Sequence, residues 1–319
     1  MSSRKFSGLA VLALAAAGLP AQQAKLDGPV SGLVYDGQSK SLRLVMGVPG
    51  AAFLGGELAG SLDMASVSPD GRFALALAGG KLSLIRLDQP DAPFQLLDEN
   101  VTVERIAWSQ DSSAAAVAGD GRVTLWHGLA AQASRRDLTL PGDVGSLTAL
   151  AVHPEGNSVA IASKSAVYYL NGESKLLAQT QDASALLFAG ADLFLADRAT
   201  SQIMRIRNYA DSAEMSLLAG SALGIDDPVA IGLAPGGVSL MVAGGASRSL
   251  LWLDRSTGEV SRSLALDFEP SRLDRFSGAS PLFVLNIRAS STDPVQILDG
   301  GSNPAVYFVP AGQASSVED

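Results

Sequence analysis

Three observations predict an all-β chain folded as a seven-bladed β-propeller of four-stranded antiparallel blades. A strand–turn–strand pattern recurs through almost all of the 319 residues, with a turn-to-turn period of roughly 35 to 45 residues, the range of four-stranded propeller blades. Nothing after the first 21 residues competes with it at helical period. A ring of such sheets also leaves few exposed edges.

The pattern is clearest over Val67–Asp88. Ser68-Pro69-Asp70-Gly71-Arg72 is a turn: Pro presets φ and Gly accepts a positive one. Phe73-Ala74-Leu75-Ala76-Leu77-Ala78 has no polar side, as in a strand covered on both faces. Gly79-Gly80 turns the chain again, and Leu82-Ser83-Leu84 alternates like a half-exposed strand.

The other copies follow in order. The first aligns Ser31–Tyr35 with the inner strand, Asp36-Gly37 with the turn and Ser41–Met46 with the next strand. Copies three to six centre on Ala114–Ala118, Val159–Ala162, Asp192–Asp197 and Val238–Val242. The seventh, over Arg272–Phe276, Pro281–Asn286 and Val295–Leu298, is the weakest. Six or eight blades would result if the first or last copy were misassigned. Outer fourth strands are expected at Phe94–Leu97, Leu138–Leu140, Lys175–Leu177, Met215–Leu218, Ser263–Leu266 and Val306–Val309.

Residues 1–21 read as an export signal: Arg4 and Lys5, then the apolar run Leu9–Ala17, then Gly18-Leu19-Pro20-Ala21 as the cleavage region. The run is too short for a comfortable membrane span. An exported protein, periplasmic or extracellular, is therefore expected, with the propeller over 22–310 and a disordered acidic tail over 311–319. The absence of cysteine removes disulfides, thiolate zinc sites and thiol nucleophiles, and two histidines cannot build a histidine-rich metal site. A net charge of −9 argues against a general nucleic-acid surface.

The Ser68–Arg72 turn resembles the WD40-like and TolB-type propeller repeats of bacteria. Ala191–Arg198 is similar to the core of NHL-type repeats, and Leu253–Val260 to YVTN-type propellers. The resemblance covers almost all of the chain after the leader, and it implies a fold whose members mostly bind other molecules.

Most candidate motifs have a structural reading. The Asp-Gly pairs at 36–37, 70–71 and 120–121 lack the spacing of a calcium loop and read as turns. Asp254–Glu259 is similar to the docking motif of quinone-cofactor propellers, but those repeat it in most blades. No cofactor and no bound metal are expected. His153 occupies the position of Ser68 and Ser109 and is expected to act as a hydrogen-bonder at a strand end. Trp126, Tyr168, Tyr169 and Trp252 fall on third strands and are expected to pack between blades.

One polar set stands apart. Loops joining second and third strands open on the same face as the links between blades. That places Asp197, Arg198, Asp226, Asp227, Arg248, Asn286 and Arg288 on one rim, with Arg272 and Asp274 nearer the central channel and the long link 219–228 beside them. The expected function is a non-catalytic, monomeric scaffold binding a protein or small-molecule ligand there. The alternative is a lactonase-like hydrolase or lyase using Asp197, Asp226 or Asp227 around a divalent ion.

Overall fold

The computed structural model describes residues 30–89, 92–142, 144–276 and 280–311. The predicted leader (1–21) and the tail beyond Ala311 lie outside the described residues. The strands form seven antiparallel sheets. Blade one holds β1 (Val30–Asp36), β2 (Ser41–Met46) and β3 (Phe53–Ala59). Blade two holds β4 (Met64–Val67), β5 (Phe73–Ala78), β6 (Lys81–Arg86) and β7 (Gln95–Asp98). In blade three are β8 (Arg105–Trp108), β9 (Ala114–Gly119), β10 (Arg122–His127) and β11 (Ser134–Thr139). Blade four contains β12 (Ala149–Val152), β13 (Val159–Ala162), β14 (Ala166–Asn171) and β15 (Glu173–Gln179). Blade five has β16 (Ala183–Ala189), β17 (Asp192–Asp197), β18 (Gln202–Arg207) and β19 (Glu214–Ala219). Blade six has β20 (Pro228–Leu233), β21 (Ser239–Gly244), β22 (Ser249–Asp254) and β23 (Val260–Ala265). Blade seven closes the series with β24 (Asp274–Arg275), β25 (Leu282–Val284), β26 (Val295–Asp299) and β27 (Ala305–Val309).

The core is divided by blade junction. Seven apolar clusters each join one blade to the next, and the cluster of Val34, Val45, Leu54, Phe276, Leu282 and Ile297 joins the last blade to the first. The chain is a seven-bladed β-propeller. Alanine-rich second strands explain the tight approach: every side chain of Ala114–Gly119 and Val159–Ala162 is buried. Trp126 and Trp252 pack into the junctions between blades two and three and between six and seven, as expected of third-strand aromatics. The Asp-Gly pairs are turns: Asp70 Oδ1 accepts from Ser68 Oγ at 2.6 Å and from the Arg72 amide at 3.0 Å, and Gly71 takes φ +73°.

Blade one needs a correction. Its Asp36-Gly37 turn joins a second strand to a third, not an inner strand to a second. The Leu62 amide donates to Lys40 O at 2.8 Å, just as the Val101 amide donates to Gly80 O at 3.0 Å beside the Gly79-Gly80 turn of blade two. β1, β2 and β3 are therefore second, third and fourth strands, and β3 leads straight to the innermost strand β4. An Asp-Gly pair suits either kind of turn, which is why the sequence alone set the copy one strand out of phase.

Candidate functional site

Each inner strand begins on one face of the ring, here the upper face, where the links between blades and the turns between second and third strands meet. The predicted polar set lies there, and the structure gives each member a different setting.

Asp197 ends β17 and is buried. Its carboxylate accepts from the Gln181 amide at 2.9 Å and from the Thr200 amide at 3.2 Å, tying the turn after β17 to the link before β16. Arg198, the next residue, is exposed and its Nε donates to Asp227 Oδ1 at 2.6 Å. That carboxylate raises the Arg198 pKa further above its ordinary value, against the opposing effect of burial. Asp227 also accepts from the Ala246 amide at 3.1 Å through Oδ2, and holds φ +47° at the end of the link 219–228. Asp226 is exposed, and its carboxylate has no hydrogen bond or ion pair among the described residues.

The same arrangement recurs one junction on. Arg248, in the turn after β21, pairs with Glu269 of the next link at 3.2 Å, both well exposed. Arg272 pairs with Asp274 at 2.8 Å. Asn286 is held by three side-chain and main-chain partners: Ser271 donates to its Oδ1 at 2.7 Å, and its Nδ2 donates to Gln296 Oε1 at 2.7 Å and Glu269 O at 3.2 Å.

Arg288 departs from the set. It is buried, and its Nη1 donates at 2.8 Å to Asp36 Oδ2, which is itself fully buried. Its Nε and Nη2 donate to Ser290 O and Ser291 O, both at 3.3 Å. The structure thus places Arg288 inside the seam between blades seven and one rather than on the open rim. Sequence reasoning missed its partner because the two residues are 252 positions apart and Asp36 passes for a turn residue.

The carboxylates do not converge. Asp197 is spent on backbone amides and Asp227 on Arg198, and among the described residues no three His, Asp or Glu side chains stand close enough to share a metal ion.

On the opposite face, His153 takes the place of Ser68 and Ser109, as expected. Its Nδ1 accepts from the Glu155 amide at 3.2 Å, so the neutral ring carries its proton on Nε2 and donates it to the Tyr209 hydroxyl at 2.9 Å. Phe188 and Tyr209 enclose the ring edge-to-face, with centroids 5.3 and 6.0 Å away. Burial lowers the His153 pKa below its usual value, outweighing the pull of Glu155, and raises that of Tyr209 to about 12. A histidine with a depressed folded pKa stabilises the fold fully above about pH 6.5, and that share is lost as the pH falls through the lowered value. We expect the melting temperature of a His153→Gln variant to change less between pH 7.5 and 5 than that of the unaltered protein. Parallel curves in thermal melts would refute this.

The Asp254–Glu259 motif is also a turn. Asp254 Oδ1 accepts from the amides of Ser256 and Thr257 at 2.8 and 2.9 Å and from Ser256 Oγ at 2.5 Å. These bonds, led by the Ser256 hydroxyl, hold the Asp254 pKa down at about 2.

No protein-family model matches the chain, and no curated protein sequence matches it. Among solved structures it is similar to the β-propeller domain of Cps50 (Swd1) from Myceliophteria thermophila, at 14% identity and TM-score 0.53, covering 81% of this chain and 93% of that one. A chain of a nidogen/laminin complex aligns at 12% identity and TM-score 0.49, over 72% of this chain and 91% of that one. The likeness is one of fold.

Proposed function

We propose that this protein is an exported, non-catalytic binding propeller that holds a protein or small-molecule ligand on its upper face, at the rim of blades five to seven. One observation carries the reading. Arg198–Asp227 and Arg248–Glu269 are ion pairs across two successive junctions, and Arg272–Asp274 follows at the start of blade seven, all of them partly or well exposed. Exposed pairs of this kind contribute only about 0–1 kcal/mol each, so a ligand can take over either partner at little cost to the fold. Asp226 and the exposed Leu223 of the link add an unpaired carboxylate and an apolar contact beside them. The predicted leader supports export, and the scattered carboxylates disfavour the metal-dependent hydrolase.

Charge reversal tests it. Protein recovered from its own host and weighed intact under native conditions should carry an added mass that the Arg198→Glu, Arg248→Glu double variant lacks. The variant should melt within about 2 °C of the parent, since changes at exposed sites away from such features stay within roughly ±0.5 kcal/mol each. Bare masses in both would sink the reading. Lactone turnover abolished by Asp226→Asn would favour the enzyme instead.

A further inference from the structure

Of the six asparagines in the chain, Asn100 alone is followed by a residue other than Pro and then by Ser or Thr, in Asn100-Val101-Thr102. That triplet is the acceptor signal for N-linked glycosylation. Its place in the fold suits a modified residue. The triplet lies in the link from β7 to β8, on the upper face. Asn100 and Thr102 are exposed, while Val101 between them packs against the core of blades two and three. Asn100 holds φ +57°, a left-handed conformation that asparagine accepts more readily than most residues, and its side-chain amide has no partner among the described residues.

We propose that Asn100 is an N-glycan acceptor, with a lipid-diphosphate-linked oligosaccharide as the donor. In the transfer, Asn100 Nδ2 bonds to the anomeric carbon of the first sugar. That carbon's bond to the diphosphate breaks, the lipid diphosphate leaves and the amide gives up one proton. Nothing is oxidised or reduced. The transfer precedes closure of the ring, because the fold grips the triplet. The Thr102 amide donates to Asp120 Oδ2 at 2.9 Å, and the Thr102 hydroxyl bonds to the same carboxylate. The Val101 amide is tied to Gly80 O at 3.0 Å, and a Cβ on Gly119 would lie only 1.8 Å from Thr102 O. Once folded, the ring tolerates the sugar, since Asn100 faces solvent. In a ring of seven, the junction between blades two and three lies opposite blade six. A glycan there leaves the rim of blades five to seven uncovered.

The inference rests on the export reading, since such acceptors belong to surface loops of secreted proteins. One experiment separates the two. The full chain is synthesised with membranes that carry an oligosaccharyltransferase and its donor, once with its own residues 1–21 and once with a leader of proven activity in their place. Under the proven leader the chain should gain a single glycan, which peptide N-glycosidase removes, leaving an aspartate where Asn100 stood. Asn100→Gln and Thr102→Val should gain none, and Thr102→Ser should keep it. A parent chain left bare by membranes that modify a known acceptor would overturn the proposal, as would a glycan that survives Thr102→Val. A glycan gained under the proven leader alone would uphold the acceptor and sink the export reading. Unmodified Asn100 in leader-cleaved protein from its own host would overturn the proposal as well. The glycan stays on the denatured chain, so its mass is distinct from that of a ligand held at the rim.

Discussion

Arg288→Ala should be among the most damaging single substitutions away from the apolar core. Removing the guanidinium leaves the Asp36 carboxylate, fully buried, with Ser39, the Gln38 amide and an Arg43 contact at 3.8 Å, but without its close cationic partner. Stripping one partner from a buried pair costs about 3–5 kcal/mol. For a chain of this size that corresponds to a fall in melting temperature of about 5–8 °C. Asp36→Asn should also destabilise, because the buried Arg288 guanidinium loses its carboxylate, but less, because the amide oxygen can still accept from the turn and from Arg288. The double substitution Asp36→Leu, Arg288→Met should recover much of the loss, since apolar residues of similar volume often replace buried ion pairs at little cost. The check is a double-mutant cycle by thermal or urea unfolding. Additive single losses would mean that the pair does not clasp blade seven to blade one.

Gly258→Ala should be comparably severe for a different reason. Gly258 sits at φ +78°, and a Cβ placed on it would lie 2.0 Å from the carbonyl oxygen of Leu218 in the neighbouring blade. The left-handed conformation alone costs an L-residue about 1–2 kcal/mol. The obstacle is backbone, at the end of an outer strand, and cannot rotate away, so a further overpacking cost of about 1–3 kcal/mol is expected. Serine substitution at the exposed Thr257 serves as the control. Urea unfolding should show the midpoint of Gly258→Ala well below the parent and that of Thr257→Ser close to it. A Gly258→Ala midpoint within error of the parent would show that the two blades separate easily there.

Much of this architecture was legible in the residues because the repeat speaks through turn chemistry and strand composition, both local. Ser68–Arg72 fixed its own turn, Phe73–Ala78 declared a strand covered on both sides, and each predicted outer strand appears within a few residues of its place. Blade one went astray because Asp-Gly serves two kinds of turn, and only the Leu62–Lys40 hydrogen bond tells them apart. The rim was legible as a set of loops sharing one face. What each side chain does there was not. Asp197 and Arg198 are adjacent in sequence, yet one is consumed by backbone amides and the other reaches an acid 29 positions away. Such partners depend on which blade lies next in space, and a single sequence carries no local sign of that.

The division of the core among seven junctions bears on how the protein tolerates change. Each junction is a separate compartment, solved by its own side chains: aliphatic residues alone among the buried set between blades three and four, aromatics between four and five, Trp252 with Phe283 between six and seven. Substitutions in compartments on opposite sides of the ring share no neighbours, so their energetic effects should add. Drift in one blade then needs compensation only next door. A ring built this way can let its repeats diverge almost beyond recognition and still close.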